Sequence, residues 1–100
     1  MSAARIRLLC VDDHKVVREG LSAMLGVQED MEVVGLAANG EQAVELHRQL
    51  QPDVTIMDLQ LPGMGGLDAI RVIRKSAPEA RIIVLTMYHG EEDIYRSLSA

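Results

Sequence analysis

Residues 55–70 read TIMDLQLPGMGGLDAI, an apolar run that ends at Asp58 and is followed by a loop rich in Gly and Pro. The run predicts a strand over 53–57, because it is short, aliphatic and bounded by turn residues. Apolar residues at helical spacing predict a helix over 66–76, directly after the loop. A strand followed by such a helix is typical of a βαβ unit, which indicates a parallel sheet. A charge at the tip of a buried strand then calls for a chemical reason.

The same alternation of strand and helix runs through the rest of the chain. Strands are predicted over 5–11, 31–37 and 81–87, and helices over 14–25, 41–51 and from about residue 90. Gly26 and Pro52 are predicted to end the first two helices. The order β-α-β-α-β-α-β-α predicts an α/β fold with a parallel sheet, in one domain.

The composition restricts the classes of function. Hydrophobic residues make up 48% of the chain and charged residues 25%, with two Tyr and no Phe or Trp, which predicts an aliphatic core. The net charge of −5 argues against a general nucleic-acid-binding surface. The single Cys10 excludes an internal disulfide and suits a reducing compartment. Since no stretch reaches the roughly 20 apolar residues of a membrane span, we expect a soluble, cytoplasmic protein.

Polar residues stand where three of the predicted strands end. Asp12 and Asp13 follow the first strand, Asp58 the third, and Thr86 lies in the last part of the fourth. The carboxyl ends of parallel strands share one edge, which is where open α/β sheets bind ligands. Three carboxylates that meet there need a counter-charge, and Mg²⁺ supplies one through oxygen ligands. The alternative for Asp13 is a helix cap, on the helix that begins near His14.

Other polar residues have plainer interpretations. His47 and His89 are interpreted as solvated side chains, and Cys10 as a core residue. Asp12-x-His14 fits the start of a cobalamin-binding motif, but the motif would need glycine at Val17. A haloacid-dehalogenase-type site would need a second acid at Gln60. The glycines of 63–66 lack the spacing of a nucleotide-binding loop.

Four stretches carry a resemblance to a known family: LLCVDDHKVVREGL, NGEQAVE, QPDVTIMDLQLPGMGGLDAIRVIRK and RIIVLTMY. They resemble the receiver domain of two-component response regulators, most closely the NarL/FixJ-like (LuxR-type) group, whose members carry a DNA-binding domain after the receiver. The resemblance implies a flavodoxin-like (CheY-like) sheet with strand order 2-1-3-4. The fifth strand and fifth helix of the family have no counterpart here, so residues 1–100 are expected to be a C-terminally truncated receiver domain.

The resemblance also implies roles for single residues. Asp58 would accept a phosphoryl group from a phosphohistidine on a sensor histidine kinase. Thr86 would be the switch hydroxyl, and Met87 would narrow access to the site. The implied Mg²⁺ ligands are Asp12, Asp13, Asp58 and the backbone carbonyl of Gln60. Neither Lys15 nor Lys75 can take the place of the family lysine that pairs with the phosphoryl group.

The implied function is signal transduction rather than turnover of a separate substrate. Phosphorylation would switch a DNA-binding output domain, so this chain itself is expected to bind neither nucleic acid nor membrane. Without a fifth strand, the strand predicted over 81–87 becomes an apolar sheet edge, which predicts a homodimer or a domain-swapped assembly. The alternative function is a protein-interaction or assembly fragment of the same fold that is not phosphorylated.

Overall fold

The computed structural model of the chain describes residues 5–85, and within them helices and strands alternate as predicted. The elements are β1 (Ile6–Val11), α1 (Lys15–Gly26), β2 (Met31–Ala37), α2 (Gly40–Leu50), β3 (Val54–Asp58), α3 (Gly66–Ser76) and β4 (Ile82–Leu85). The four strands form one parallel sheet in the order β2-β1-β3-β4, which confirms the predicted fold class and strand order. The predicted fourth helix and the last residues of the predicted fourth strand lie outside the described residues.

The order of the strands decides where the helices lie. The chain crosses from β1 to β2 in one direction and from β2 to β3 and β4 in the other. Because such crossovers are right-handed, α1 lies on one face of the sheet and α2 and α3 lie on the other. The change of direction opens a crevice between the carboxyl ends of β1 and β3, the usual ligand position in folds of this kind.

The core between the sheet and helices α2 and α3 is aliphatic, as the composition predicts. Leu9, Val11 and Met57 of the strands and Ala43 and Ile73 of the helices are each at most 1% exposed. Burial of such side chains is the main source of folding free energy. On the described part of β4, Ile83 and Val84 remain 56% and 42% exposed.

The first two helices end within one residue of the predicted positions. Gly26 is the last helical residue of α1, as predicted, and Val27 follows in right-handed helical conformation. Helix α2 ends at Leu50, and Gln51 has a φ of 48° in the left-handed region. The Gln51 side-chain amide donates to the carbonyl of Arg48 at 3.1 Å, which satisfies one of the last carbonyls of α2.

The interpretation of His47 as a solvated side chain is wrong. His47 lies on the inner face of α2 and is 5% exposed. Its position in the helix repeat, in step with Ala43, places it over the sheet. Burial lowers the pKa of His47, since the charged imidazolium is disfavoured away from water.

The register between β1 and β2 shifts once. Leu8 pairs with Val33, but Leu9 pairs with Gly35, so one extra residue is accommodated in β2. A β-carbon on Gly35 would lie 2.8 Å from the Leu50 Cδ1 atom, so glycine allows α2 to pack closely on the sheet.

The remaining sequence expectations concern the single thiol and the membrane. Cys10 is fully buried in β1, and burial raises its pKa to about 11, which supports its interpretation as a core residue. None of the helices within residues 5–85 combines the length and the apolar character that crossing a bilayer requires.

Candidate functional site

Three of the predicted acids meet at the carboxyl edge of the sheet. Val11 pairs with Met57, so the next residues along the two strands, Asp12 and Asp58, stand side by side. Both are fully buried, whereas the side chain of Asp13 is 33% exposed. Ligand atoms of Asp12, Asp13, Asp58 and His14 all lie within 4.8 Å of one another. The predicted convergence of Asp12, Asp13 and Asp58 is therefore present in the fold.

The two buried carboxylates are held in the same way. Oδ1 of Asp12 accepts from the backbone N–H of His14 at 2.8 Å, and Oδ1 of Asp58 accepts from the backbone N–H of Gln60 at 3.0 Å. Each bond reaches two residues along the chain, as in an Asx turn. Oδ2 of Asp12 and Oδ2 of Asp58 are buried and have no hydrogen-bond partner within residues 5–85. Buried carboxylate oxygens without partners are rare, and they mark a place where a ligand belongs.

The alternative role of Asp13 as a helix cap is wrong. The residue at the N-cap position of α1 is His14, and its side chain makes no capping bond. The Asp12 side chain instead accepts from the N–H of His14, and the guanidinium of Arg18 donates to the Asp12 carbonyl at 2.8 Å. The loop after β1 is thus fixed by Asp12 and Arg18, which leaves the Asp13 carboxylate facing the site.

His14 is a member of the site that the sequence reasoning did not assign. Its Nδ1 atom lies 2.8 Å from Oδ1 of Asp12 and 3.1 Å from Oδ1 of Asp13. The hydrogen bond to Asp12 raises the pKa of His14, and the negative charge of Asp13 adds to the effect. The motif Asp-Asp-His contained this signal, but the histidine was weighed only as a cobalamin ligand and as the start of a helix.

The electrostatics of Asp58 combine opposing effects. Burial raises the pKa of its carboxyl group, and the hydrogen bond from the Gln60 N–H acts in the opposite direction. The neighbouring acids Asp12 and Asp13 raise this pKa further, since like charges disfavour ionisation. An ionised Asp58 is therefore stabilised by any cation that enters the crevice.

Gly66 is a second residue that the sequence reasoning missed. A β-carbon on Gly66 would lie 2.4 Å from the carbonyl oxygen of Asp58 and 2.7 Å from the Cα atom of Leu59. Its N–H donates to the Leu59 carbonyl at 3.2 Å, so the start of α3 packs directly on the end of β3. The glycine run was weighed only as a nucleotide-binding loop, but a doublet at the start of a helix is also a signal of close backbone packing.

The arrangement fits a hard divalent cation. The donors are carboxylate oxygens, two of them buried and unpartnered, and Mg²⁺ prefers one or two carboxylates with water and phosphate oxygens. The backbone N–H of Gln60 is bonded to Asp58, while the assignment of its carbonyl as a ligand stays a prediction. Thr86 and Met87 lie outside the described residues, so their predicted roles stay predictions.

Comparison with known families agrees with this geometry. The family described as "Response regulator receiver domain" matches residues 8–100. The chain belongs to this family. It is 40% identical over 95 residues to the response regulator protein VraR of Staphylococcus epidermidis. That alignment covers 95% of this chain and 46% of VraR, so the chain spans about half the length of the curated relatives it matches.

Solved structures show the same relationship. A LuxR-family two-component response regulator from Aurantimonas sp. SI85-9A1 superposes with a TM-score of 0.80 at 38% identity, covering 96% of this chain and 69% of that one. The signal receiver domain of the putative response regulator NarL from Mycobacterium tuberculosis gives 0.81 at 29% identity, covering 97% and 78%. The sheet order 2-1-3-4 is that of the CheY-like receiver fold, and the resemblance inferred from the sequence is confirmed.

Membership of the family indicates a function for the acidic crevice. Receiver domains are phosphoacceptors in two-component signalling, and the pocket of Asp12, Asp13 and Asp58 fits a phosphoacceptor site. The pocket is also a cluster of acids suited to a metal ion.

Proposed function

We propose that Asp58 is the phosphoacceptor, which takes a phosphoryl group from a phosphohistidine on a sensor histidine kinase. The observation that carries this proposal is the buried Oδ2 atom of Asp58, which, like the buried Oδ2 atom of Asp12, has no hydrogen-bond partner among residues 5–85. Asp58 Oδ1 is occupied by the Gln60 N–H, so Oδ2 is the atom left to act as the nucleophile. A carboxylate nucleophile is already ionised at neutral pH and needs no general base.

The step transfers one phosphoryl group and keeps its charge balance. Oδ2 of Asp58 forms a bond to phosphorus, and the bond between phosphorus and the kinase imidazole nitrogen breaks. The electron pair of that bond stays on the imidazole, which takes up a proton, and Asp58 becomes an acyl phosphate. The burden on the protein is to bring an anionic group into a crevice lined by three acids.

We propose Mg²⁺ as the cation of this site, held by Asp12, Asp13, Asp58 and the backbone carbonyl of Gln60. When bound, the cation neutralises the charge of the phosphoryl oxygens and aligns the attacking and leaving atoms. The backbone N–H of His14 orients the carboxylate of Asp12, and the backbone N–H of Gln60 orients that of Asp58. Both carboxylates are thus oriented before any ligand enters.

The wider role is proposed from the family. Thr86 would hydrogen-bond to the phosphoryl group, and Met87 would limit access to it. The chain would act in the cytoplasm as a receiver domain that turns over no separate substrate. Like its LuxR-family relatives, the whole protein would pass the signal to a DNA-binding domain, whereas this chain binds no nucleic acid itself.

Intact-mass measurement tests the proposed acceptor. The chain is incubated with Mg²⁺ and acetyl phosphate, beside Asp58→Asn and the control Asp53→Asn, an exposed acid at the opposite end of β3. One phosphoryl adduct is expected on the wild type and on Asp53→Asn, and none on Asp58→Asn. An adduct that persists on Asp58→Asn would refute the assignment.

The alternative, an assembly fragment that is not phosphorylated, has one observation in its favour. Ile83 and Val84 are 56% and 42% exposed, and among the described residues β4 pairs with β3 alone. Self-association through β4, as a homodimer or by domain swapping, remains a prediction. A folded wild-type chain without an adduct, which sediments as a dimer, would favour this alternative.

A further inference from the structure

The imidazole of His14 bridges the two neighbouring acids. Its Nδ1 atom is within hydrogen-bond distance of one oxygen of Asp12, at 2.8 Å, and of one oxygen of Asp13, at 3.1 Å. In both acids the oxygen concerned is Oδ1. We propose that His14 is a positioning residue of the cation site, which holds the Oδ1 atoms of Asp12 and Asp13 so that their other oxygens face the cation. This inference rests on the proposed cation site at Asp58.

The contribution of His14 differs between the two acids. Asp12 Oδ1 also accepts from the backbone N–H of residue 14, a bond that any amino acid at this position except proline provides. Asp13 is 33% exposed, and an exposed carboxylate samples several rotamers unless a contact selects one. The ring of His14 therefore acts mainly on Asp13, whose ligand geometry depends on a side chain rather than on the backbone.

The Oδ2 atoms of Asp12 and Asp58 are the carboxylate oxygens available to a cation. With Oδ1 of Asp12 engaged by His14, its Oδ2 is buried and has no partner among the described residues 5–85, as is true of Oδ2 of Asp58. Carboxylate ligands of metal ions are generally oriented by hydrogen bonds from residues that do not touch the metal. In the tautomer that carries its proton on Nδ1, this nitrogen donates to the carboxylates and has no lone pair for a cation, and this is the tautomer that the orienting role requires.

The position of His14 allows it to be replaced without loss of the fold. Its side chain is 44% exposed and makes no capping bond to α1. His14→Asn keeps an N–H donor near the place of Nδ1, whereas His14→Leu keeps the bulk and removes the donor. The pair of variants separates the hydrogen bonds of the ring from its volume.

The test uses Mn²⁺, which shares the oxygen-ligand preference of Mg²⁺ and is visible by electron paramagnetic resonance. Titration of the folded chain gives its affinity for Mn²⁺, with Asp58→Asn as the control for binding in the crevice. We expect His14→Leu to bind Mn²⁺ roughly tenfold more weakly, with most of the affinity restored in His14→Asn. Pulsed spectra of the wild type should show no nitrogen coordinated to Mn²⁺. Circular dichroism confirms that each variant is folded, and His14→Ala replaces His14→Leu if the latter is not.

The outcomes separate this inference from the proposed function. Unchanged or tighter Mn²⁺ binding in the variant without the donor would overturn the positioning role and leave the cation site standing. A coordinated nitrogen in the wild type that disappears in His14→Leu would also overturn it, because His14 would then be a ligand. Wild-type chain that is folded and binds no Mn²⁺ would overturn the cation site and this inference together.

Discussion

The two ends of strands β1 and β3 each carry acidic residues, and the protein treats them in opposite ways. At the amino end, Asp53 Oδ2 accepts from the backbone N–H of Arg7 at 2.8 Å, and the Asp53 N–H donates to the Arg7 carbonyl at 2.8 Å. The Arg7 guanidinium caps α2 through the carbonyls of Leu50, at 2.7 Å, and Gln51, at 3.0 Å. At the carboxyl end, Asp12 and Asp58 are buried, and one oxygen of each has no partner in the part of the chain that the structure describes.

The difference separates an end whose acid is satisfied within the fold from an end whose acids are not, among the described residues. Asp53 has a hydrogen-bond donor for its carboxylate and is exposed to water, so its charge is compatible with folding alone. Asp58 is fully buried beside a second acid, an arrangement that disfavours the ionised folded state until a cation arrives. Perturbed, incompletely satisfied acids of this kind cluster at functional sites.

The largest expected effect on stability comes from Gly66, which allows α3 to pack on the carboxyl end of β3. Gly66→Ala should lower the free energy of unfolding by about 3 kcal/mol, because its β-carbon would overlap the backbone of Asp58 and Leu59. Gly65→Ala is the matched control, since a β-carbon there meets no atom within 4 Å. Urea denaturation of both variants gives the comparison. Equal stability of the two would show that the end of β3 can move away from α3 without loss.

Substitutions of Asp58 and Asp53 should change the stability of the chain in opposite directions, each by less than Gly66→Ala does. The folded-state pKa of Asp58 is raised, so its contribution to stability falls as pH rises from the ordinary value of 3.8 through that pKa. At neutral pH without divalent cations, Asp58→Asn should therefore stabilise the chain by about 1 kcal/mol. Asp53→Ala should destabilise it by about 1 kcal/mol, because the hydrogen bond from Arg7 is lost.

Thermal and urea denaturation in EDTA measure both changes. Addition of Mg²⁺ should then stabilise the wild type and leave Asp58→Asn less affected, since binding to the folded state alone raises stability. If both substitutions destabilise the chain in EDTA, the ionised Asp58 is better accommodated than its surroundings indicate, and the contrast between the two ends fails.

The smallest expected effect concerns the buried histidine of α2. The folded-state pKa of His47 lies below the ordinary value of 6.5, so the unfolded chain binds the proton more tightly. The contribution of His47 to stability is complete above about pH 6.5 and is lost as pH falls towards the folded-state pKa. His47→Gln should reduce the loss of stability between about pH 7 and pH 5.5. An unchanged pH dependence would mean that His47 is hydrated in the folded protein.

The architecture and the meeting of the acids were open to prediction from the sequence. Apolar runs alternating with helical patterns gave the parallel sheet, and the family resemblance gave the strand order. The convergence of Asp12 and Asp58 then follows from the topology, because the carboxyl ends of neighbouring parallel strands share an edge. Such features depend on periodicity and connectivity, which a single sequence carries along its length.

The features that the sequence analysis missed or interpreted wrongly depend on contacts between distant segments. The burial of His47 depends on how α2 packs on the sheet, and the need for glycine at position 66 depends on the end of β3. The extra residue of β2 before Gly35 is likewise a matter of pairing with β1. The contacts of the His14 ring with Asp12 and Asp13 follow from the path of one loop, which residue spacing does not determine.

The fully buried thiol of Cys10 is a natural probe of how often strand β1 opens. It is the single cysteine of the chain and lies two residues before Asp12, and burial raises its pKa to about 11. Reaction with a thiol reagent therefore requires β1 to open, and the rate of labelling reports how often the strand that leads into the crevice is exposed. If a cation binds at Asp12 and Asp58 as proposed, it would hold β1 against β3 and slow the labelling, so the rate would report occupancy of the site without a chromophore or a radiolabel.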